Sequence, residues 1–137
     1  MENDLKDLLI KELSARLPYG VKIEHTSGFI GALNNLTTYQ LYDGDNIKDI
    51  YCAIDFFGDD DYISVEYFRP YLFPLSSMTE EQKEEYCQLQ QKIIYNSKGV
   101  VNEDITEYIN WCYKKHLDIN DLISKGLAID ATNLNIY

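Results

Sequence analysis

Arg69-Pro70-Tyr71-Leu72-Phe73-Pro74-Leu75-Ser76-Ser77-Met78-Thr79-Glu80-Glu81-Gln82-Lys83-Glu84-Glu85-Tyr86 divides the chain into two kinds of pattern. Before it, apolar and polar residues alternate in short runs broken by Gly and Asp, the period of a strand. After it, apolar residues recur every three or four positions, the period of a helix. Pro70 and Pro74 predict an extended connection, because proline neither donates to a sheet ladder nor sits inside a helix. Thr79-Glu80-Glu81-Gln82 has the spacing of a capping box. The Thr hydroxyl can take the amide of the third helical residue while Gln82 reaches back. The expected fold is therefore α+β.

Working outward, Leu5, Leu8, Leu9, Leu13 and Leu17 form one stripe. They predict a helix from Asp4 to Leu17, capped by Asn3 or Asp4 and ended by Pro18-Tyr19-Gly20. Val21 to His25 alternates as a strand, and Phe29 to Asn35 fits neither pattern. Strands are expected across Leu36 to Tyr42, Ile47 to Phe57 and Tyr62 to Phe68. The short turns between them favour an antiparallel meander of about four strands in all. Downstream, helices are expected from the capping box to Tyr95, with Tyr86, Leu89 and Ile93 inward, and from Glu103 to Lys115, with Ile105, Tyr108, Ile109 and Cys112 inward. A last short helix is expected from Asp118 to Gly126. The tail beyond Leu127 is apolar enough to dock. A chain of 137 residues without repeats or linkers reads as one domain, 1–137.

The longest apolar run is too short to span a bilayer, and the acidic start lacks the pattern of a secretory signal. A cytoplasmic protein without a membrane segment is expected. Cys52, Cys87 and Cys112 match no zinc or redox spacing and read as buried thiols in a reducing compartment. Twelve bases against twenty-three acids leave a net charge of −11, which disfavours direct binding to nucleic acid. The acids are concentrated. Between Asp43 and Glu66 stand eight of them and one base, Lys48.

Three segments, Ala15-Arg16-Leu17-Pro18-Tyr19-Gly20-Val21, the Arg69 to Tyr86 stretch and Leu122-Ile123-Ser124-Lys125-Gly126-Leu127-Ala128, together resemble an uncharacterised family of small proteins encoded by bacteriophages and prophages of gut anaerobic bacteria. The resemblance implies a phage origin and a working life in the cytoplasm of a bacterial host. It carries over no activity and no functional residue.

Several groups of residues offer candidate chemistry. The loop Asp43-Gly44-Asp45-Asn46 offers hard oxygens, but the fifth position of a calcium loop would fall on Ile47, so no metal is expected. Glu80, Glu81, Glu84 and Glu85 share a helix with Lys83 and read as a solvent face. His25 and Glu24 are strand neighbours on opposite faces. Cys112 and His116 are one helical turn apart, the spacing of a thiolate–imidazole pair. No cofactor motif is present. The remaining signal is tyrosine among carboxylates: Tyr51, Tyr62 and Tyr67 with Asp43, Asp45, Asp59, Asp60 and Asp61, a combination suited to a protein interface. The function expected is a non-enzymatic accessory protein that binds a host or phage protein, inhibition being one outcome such binding can have. The rivals are a small enzyme using carboxylates or the Cys112/His116 pair, and a minor virion or assembly component.

Overall fold

The computed structural model describes residues 2–54, 63–95 and 102–137. The elements are α1 (Asn3–Arg16), β1 (Lys22–His25), β2 (Ile30–Ala32), β3 (Thr37–Asp43), β4 (Asn46–Ile54), β5 (Ile63–Ser64), β6 (Phe68–Leu72), α2 (Glu80–Tyr95), α3 (Asn102–Lys114) and β7 (Ile129–Asp130). The α+β class holds: an N-terminal helix, a four-stranded sheet and two C-terminal helices.

The strands fall into two sheets. β3, β4 and β5 form the expected antiparallel meander, turning at Asp43–Asn46 with Gly44 at φ 66°. β1 instead belongs to a sheet ordered β2-β1-β6-β7, in which β7 runs parallel to β6. The segment expected as a fourth full strand contributes two residues to β5, then a 3-10 turn at Val65–Tyr67 and the first residue of β6.

β6 is a correction, because it runs through Pro70, where a connection was expected. The ladder explains why proline fits. His25 donates to the Phe29 carbonyl and Leu33 to the Val21 carbonyl, so the odd residues of β1 bond β2. Thr26 donates to the Tyr67 carbonyl, so the even residues bond β6. Pro70 stands opposite Ile23 and owes β1 no donor. On its other side β7 begins only opposite Tyr71, so the missing N–H leaves no acceptor unpaired.

One face of this sheet meets α1. Leu9 and Leu13 of the helix pack with Ile23, Phe68 and Leu72, all fully buried, and with Leu33, Leu122 and Leu127. Glu2 occupies the helix N-cap without a side-chain bond, in place of the expected Asn3 or Asp4. The Leu17–Tyr19 turn and Gly20 at φ 69° close the helix as the proline and glycine predict.

The capping box forms with both bonds. The Thr79 amide donates to Gln82 Oε1 at 3.0 Å and the Gln82 amide to Thr79 Oγ1 at 3.1 Å. α2 joins α3 through an aromatic seam: Tyr86 lies 5.6 Å from Tyr108 and 6.2 Å from Trp111, and Trp111 Nε1 donates to Glu85. Ile105, expected inward, is 36% exposed. Cys87, expected buried, faces solvent on the outside of α2, whereas Cys112 is buried.

Residues 118–126 form turns rather than a helix. The Asp118 carboxylate accepts from the amides of Leu122 and Ile123, four and five residues on, and Asp121 adopts φ 60°, which an α-helix excludes. The tail docks. Ala131 donates to the Leu72 carbonyl beside β7, and Lys22 Nζ donates to the Ile136 carbonyl at 2.7 Å.

Candidate interaction surface and the buried polar centre

The side chains of Lys22, Glu24, Arg69 and Tyr71 project from the sheet face opposite α1, as strand alternation requires once Ile23, Phe68 and Leu72 point inward. The two ends of this outer face differ. At one end the tail closes it. Tyr137 Oη accepts the Lys22 amide at 2.9 Å and donates to the Tyr71 carbonyl at 2.7 Å, standing where a direct β1–β6 ladder bond would otherwise form. Tyr71 donates its own hydroxyl to Glu24 at 2.7 Å, and burial together with that carboxylate pushes its pKa up to about 12.

The other end is open among the described residues. Glu24, His25, Thr26, Glu66, Tyr67, Arg69 and Ile129 line a cleft of about 270 Å³. Tyr67 is 48% exposed, and Phe29 and Ile30 of the β1–β2 turn and β2 are 62% and 48% exposed. The Glu66 and Arg69 side chains make no hydrogen bond or ion pair with the described residues. His25 sits at the rim with its ring edge toward buried Phe68, and its Nδ1 accepts the Ser27 amide at 3.1 Å.

Of the residues singled out from sequence, Tyr67 belongs to this surface, and Asp45 is exposed at the β3–β4 turn. Asp43 ends β3, and Tyr51 stands opposite Tyr39 in the hairpin register, with both side chains outside the described residues. Asp59, Asp60, Asp61 and Tyr62 also lie outside the described residues. Glu80, Glu81, Glu84 and Glu85 are all exposed.

A second polar cluster, which sequence reasoning missed, lies inside the protein. Arg16 is fully buried and Glu12 is 2% exposed. Arg16 Nε donates to Glu12 at 3.0 Å and Nη2 to the Leu117 carbonyl at 2.8 Å, and the guanidinium carbon lies 4.7 Å from the centre of the Tyr113 ring. Asn120 donates to the other Glu12 oxygen. The pair therefore ties α1 to the end of α3 and the turn beyond it. A signal was present: Glu12 and Arg16 continue the spacing of Leu9 and Leu13, two charges written into an apolar stripe.

His116 joins this cluster from beyond the end of α3, at φ 58°, so it does not share a helix face with Cys112 as their spacing predicts. Its ring stacks on Tyr137, centroids 3.7 Å apart and 12° from parallel, and its buried Nδ1 has no hydrogen-bond partner. Burial, and then the nearby Arg16 charge, push its pKa down to about 4. Burial pushes the Cys112 thiol up to about 11. At neutral pH the two groups are thus a thiol and a neutral imidazole, the opposite of an activated pair.

Among the described residues there is no group of three His, Cys, Asp or Glu side chains placed to hold a metal, and no helix long and apolar enough to cross a membrane. The sequence matches no family model, and neither a curated protein nor a solved structure is similar to it.

Proposed function

We propose that the chain is a phage-encoded accessory protein that works in the cytoplasm of a bacterial host by binding another protein, with inhibition of that protein as the outcome. The open end of the outer sheet face, continuous in sequence with the acidic 43–67 region, is the surface that makes contact. One observation carries the reading. Ile30 and Tyr67 are exposed on the outer sheet face beside a cleft whose Glu66 and Arg69 are unpaired among the described residues, whereas the buried Glu12–Arg16 pair is engaged in folding.

The cleft, at about 270 Å³, falls below the usual range for a small-molecule site and is of a size to take one side chain of a partner. Exposed tyrosine with flanking charge supplies contact area at low entropic cost. The net charge of −11 steers a basic partner and makes association salt-dependent.

The test is the double variant Tyr67→Ala, Arg69→Glu. Both positions are exposed, so its stability should stay within about 0.5 kcal/mol of the parent. The partner retained by the parent from host extract should be lost, and partner association by the parent should slow as salt is raised. Equal retention by parent and variant would contradict the reading.

A further inference from the structure

Among the described residues β2 is an edge strand, and its outward side is open. Residues 29, 31 and 33 turn their backbone groups toward β1, as the bonds from His25 to Phe29 and from Leu33 to Val21 require. Ile30 and Ala32 therefore turn theirs away from the sheet. No described residue bonds them there, and both side chains are exposed. The opposite edge is managed differently, because β7 caps β6 along Tyr71 and Leu72. β2 contains no proline, lysine or bulge to block pairing, and its shortness is its one guard.

Two features define an occupant. Outward donors and acceptors on alternate residues are satisfied together by an extended backbone about 4.8 Å away. On the outer face, Ile30 stands opposite Glu24, whose Oε2 is taken by Tyr71 and whose Oε1 is not. A Lys or Arg on the incoming strand can lay its methylenes along Ile30 and bring its charge to Glu24. A second copy of the chain would bring a further charge of −11 to the same edge, which disfavours self-pairing.

From this we infer that the Ile30–Ala32 edge is a strand-addition site for an extended, Lys- or Arg-bearing segment of a partner protein. The inference rests on the protein-binding reading above and specifies how part of the partner is held.

The probe is a library of short random peptides selected on the purified protein. Selected peptides should alternate β-branched residues with Lys or Arg, shift the amide resonances of Ile30 and Ala32, and slow their hydrogen exchange. N-methylation of alternate peptide amides should weaken binding by about tenfold or more, since it removes the ladder bonds and leaves the charge. Ala32→Pro should do the same, because it deletes an outward donor that β1 does not use, and Glu24→Gln should weaken binding less. Failure to select any peptide, or binding indifferent to both N-methylation and Ala32→Pro, would overturn the inference. Concentration-dependent shifts at Ile30 without peptide would overturn it in favour of a second copy. Shifts confined to Tyr67 and Arg69 would remove the strand-addition site and leave the proposed surface standing.

Discussion

Arg16→Met is expected to lower the free energy of unfolding by about 3–5 kcal/mol, because it leaves the Glu12 carboxylate buried without its cation. It also strips the Leu117 carbonyl of its donor and Tyr113 of the guanidinium above its ring. For a chain of this length the thermal midpoint should fall by roughly 10–15 °C. Adding Glu12→Leu should recover most of the loss, since a buried ion pair replaced by well-packed apolar groups is close to neutral. Asn120, already exposed, can then turn to water. Denaturant unfolding of the parent and the two variants measures both effects. A single variant no worse than the double would mean that Glu12 is reached by solvent.

The second large effect is a loss of stability on acidification that belongs to His116. Its folded pKa of about 4 lies below the 6.5 of a free imidazole, so between those values the unfolded chain binds more protons than the folded one. The stabilisation is fully present above pH 6.5 and falls away as pH drops through 4. Allowing for partial exposure of the ring, the change amounts to about 2–3 kcal/mol. Arg16 from α1 lies near it and Tyr137 from the tail stacks on it, with Cys112 and Tyr113 close by in sequence at the end of α3. Cys112 and the tyrosines hold their protons throughout this window. Asp130 acts below it. The Thr132 hydroxyl and amide lower its pKa, so its contribution is lost below the ordinary aspartate range. His116→Asn suits the left-handed backbone and removes the titration, so the difference between parent and variant isolates the histidine. Unfolding measured from pH 7 to 4 should show parent and variant diverging in slope. Parallel curves would contradict the burial of the imidazole.

What could be read from the sequence was mostly what depends on neighbours in the chain. The capping box at Thr79–Gln82 needs a spacing of three residues, and it formed with both of its bonds. The leucine stripe of α1 and the hairpin at Asp43–Asn46 are local in the same sense. The places where sequence reasoning fell short depend on distant partners. Pro70 enters a strand because the alternation of β1 makes no demand on its nitrogen, and that alternation is settled by pairing with β2. Asp118 looked like a helix cap, but its carboxylate bonds the amides of Leu122 and Ile123 across a turn held by Asp121. The docking of the tail followed from its apolar residues. Its parallel pairing and the hydroxyl of Tyr137 between β1 and β6 did not, since 66 and 115 residues separate that oxygen from its partners. Arg16 was hidden most completely. It pairs with Glu12 one turn away, as exposed helical ions do, and only the Leu117 carbonyl, 101 residues on, gives the reason it is inside.

Of the residues proposed for the surface, Tyr67 alone was chosen from the sequence as a binding residue. Tyrosine among carboxylates pointed to an interface, and Tyr67 lies on the open face. Ile30 and Arg69 were not singled out, because a strand isoleucine or arginine has no meaning until the uncovered side of the sheet is known.

The most direct measurement places a photoreactive amino acid at Tyr67 and, separately, at Glu81 on the exposed face of α2, and irradiates host cells making each variant. A single discrete adduct from position 67 and none from position 81 is the result expected if the open sheet face is the working surface. Adducts from position 81 alone, or equal and diffuse labelling from both, would contradict it.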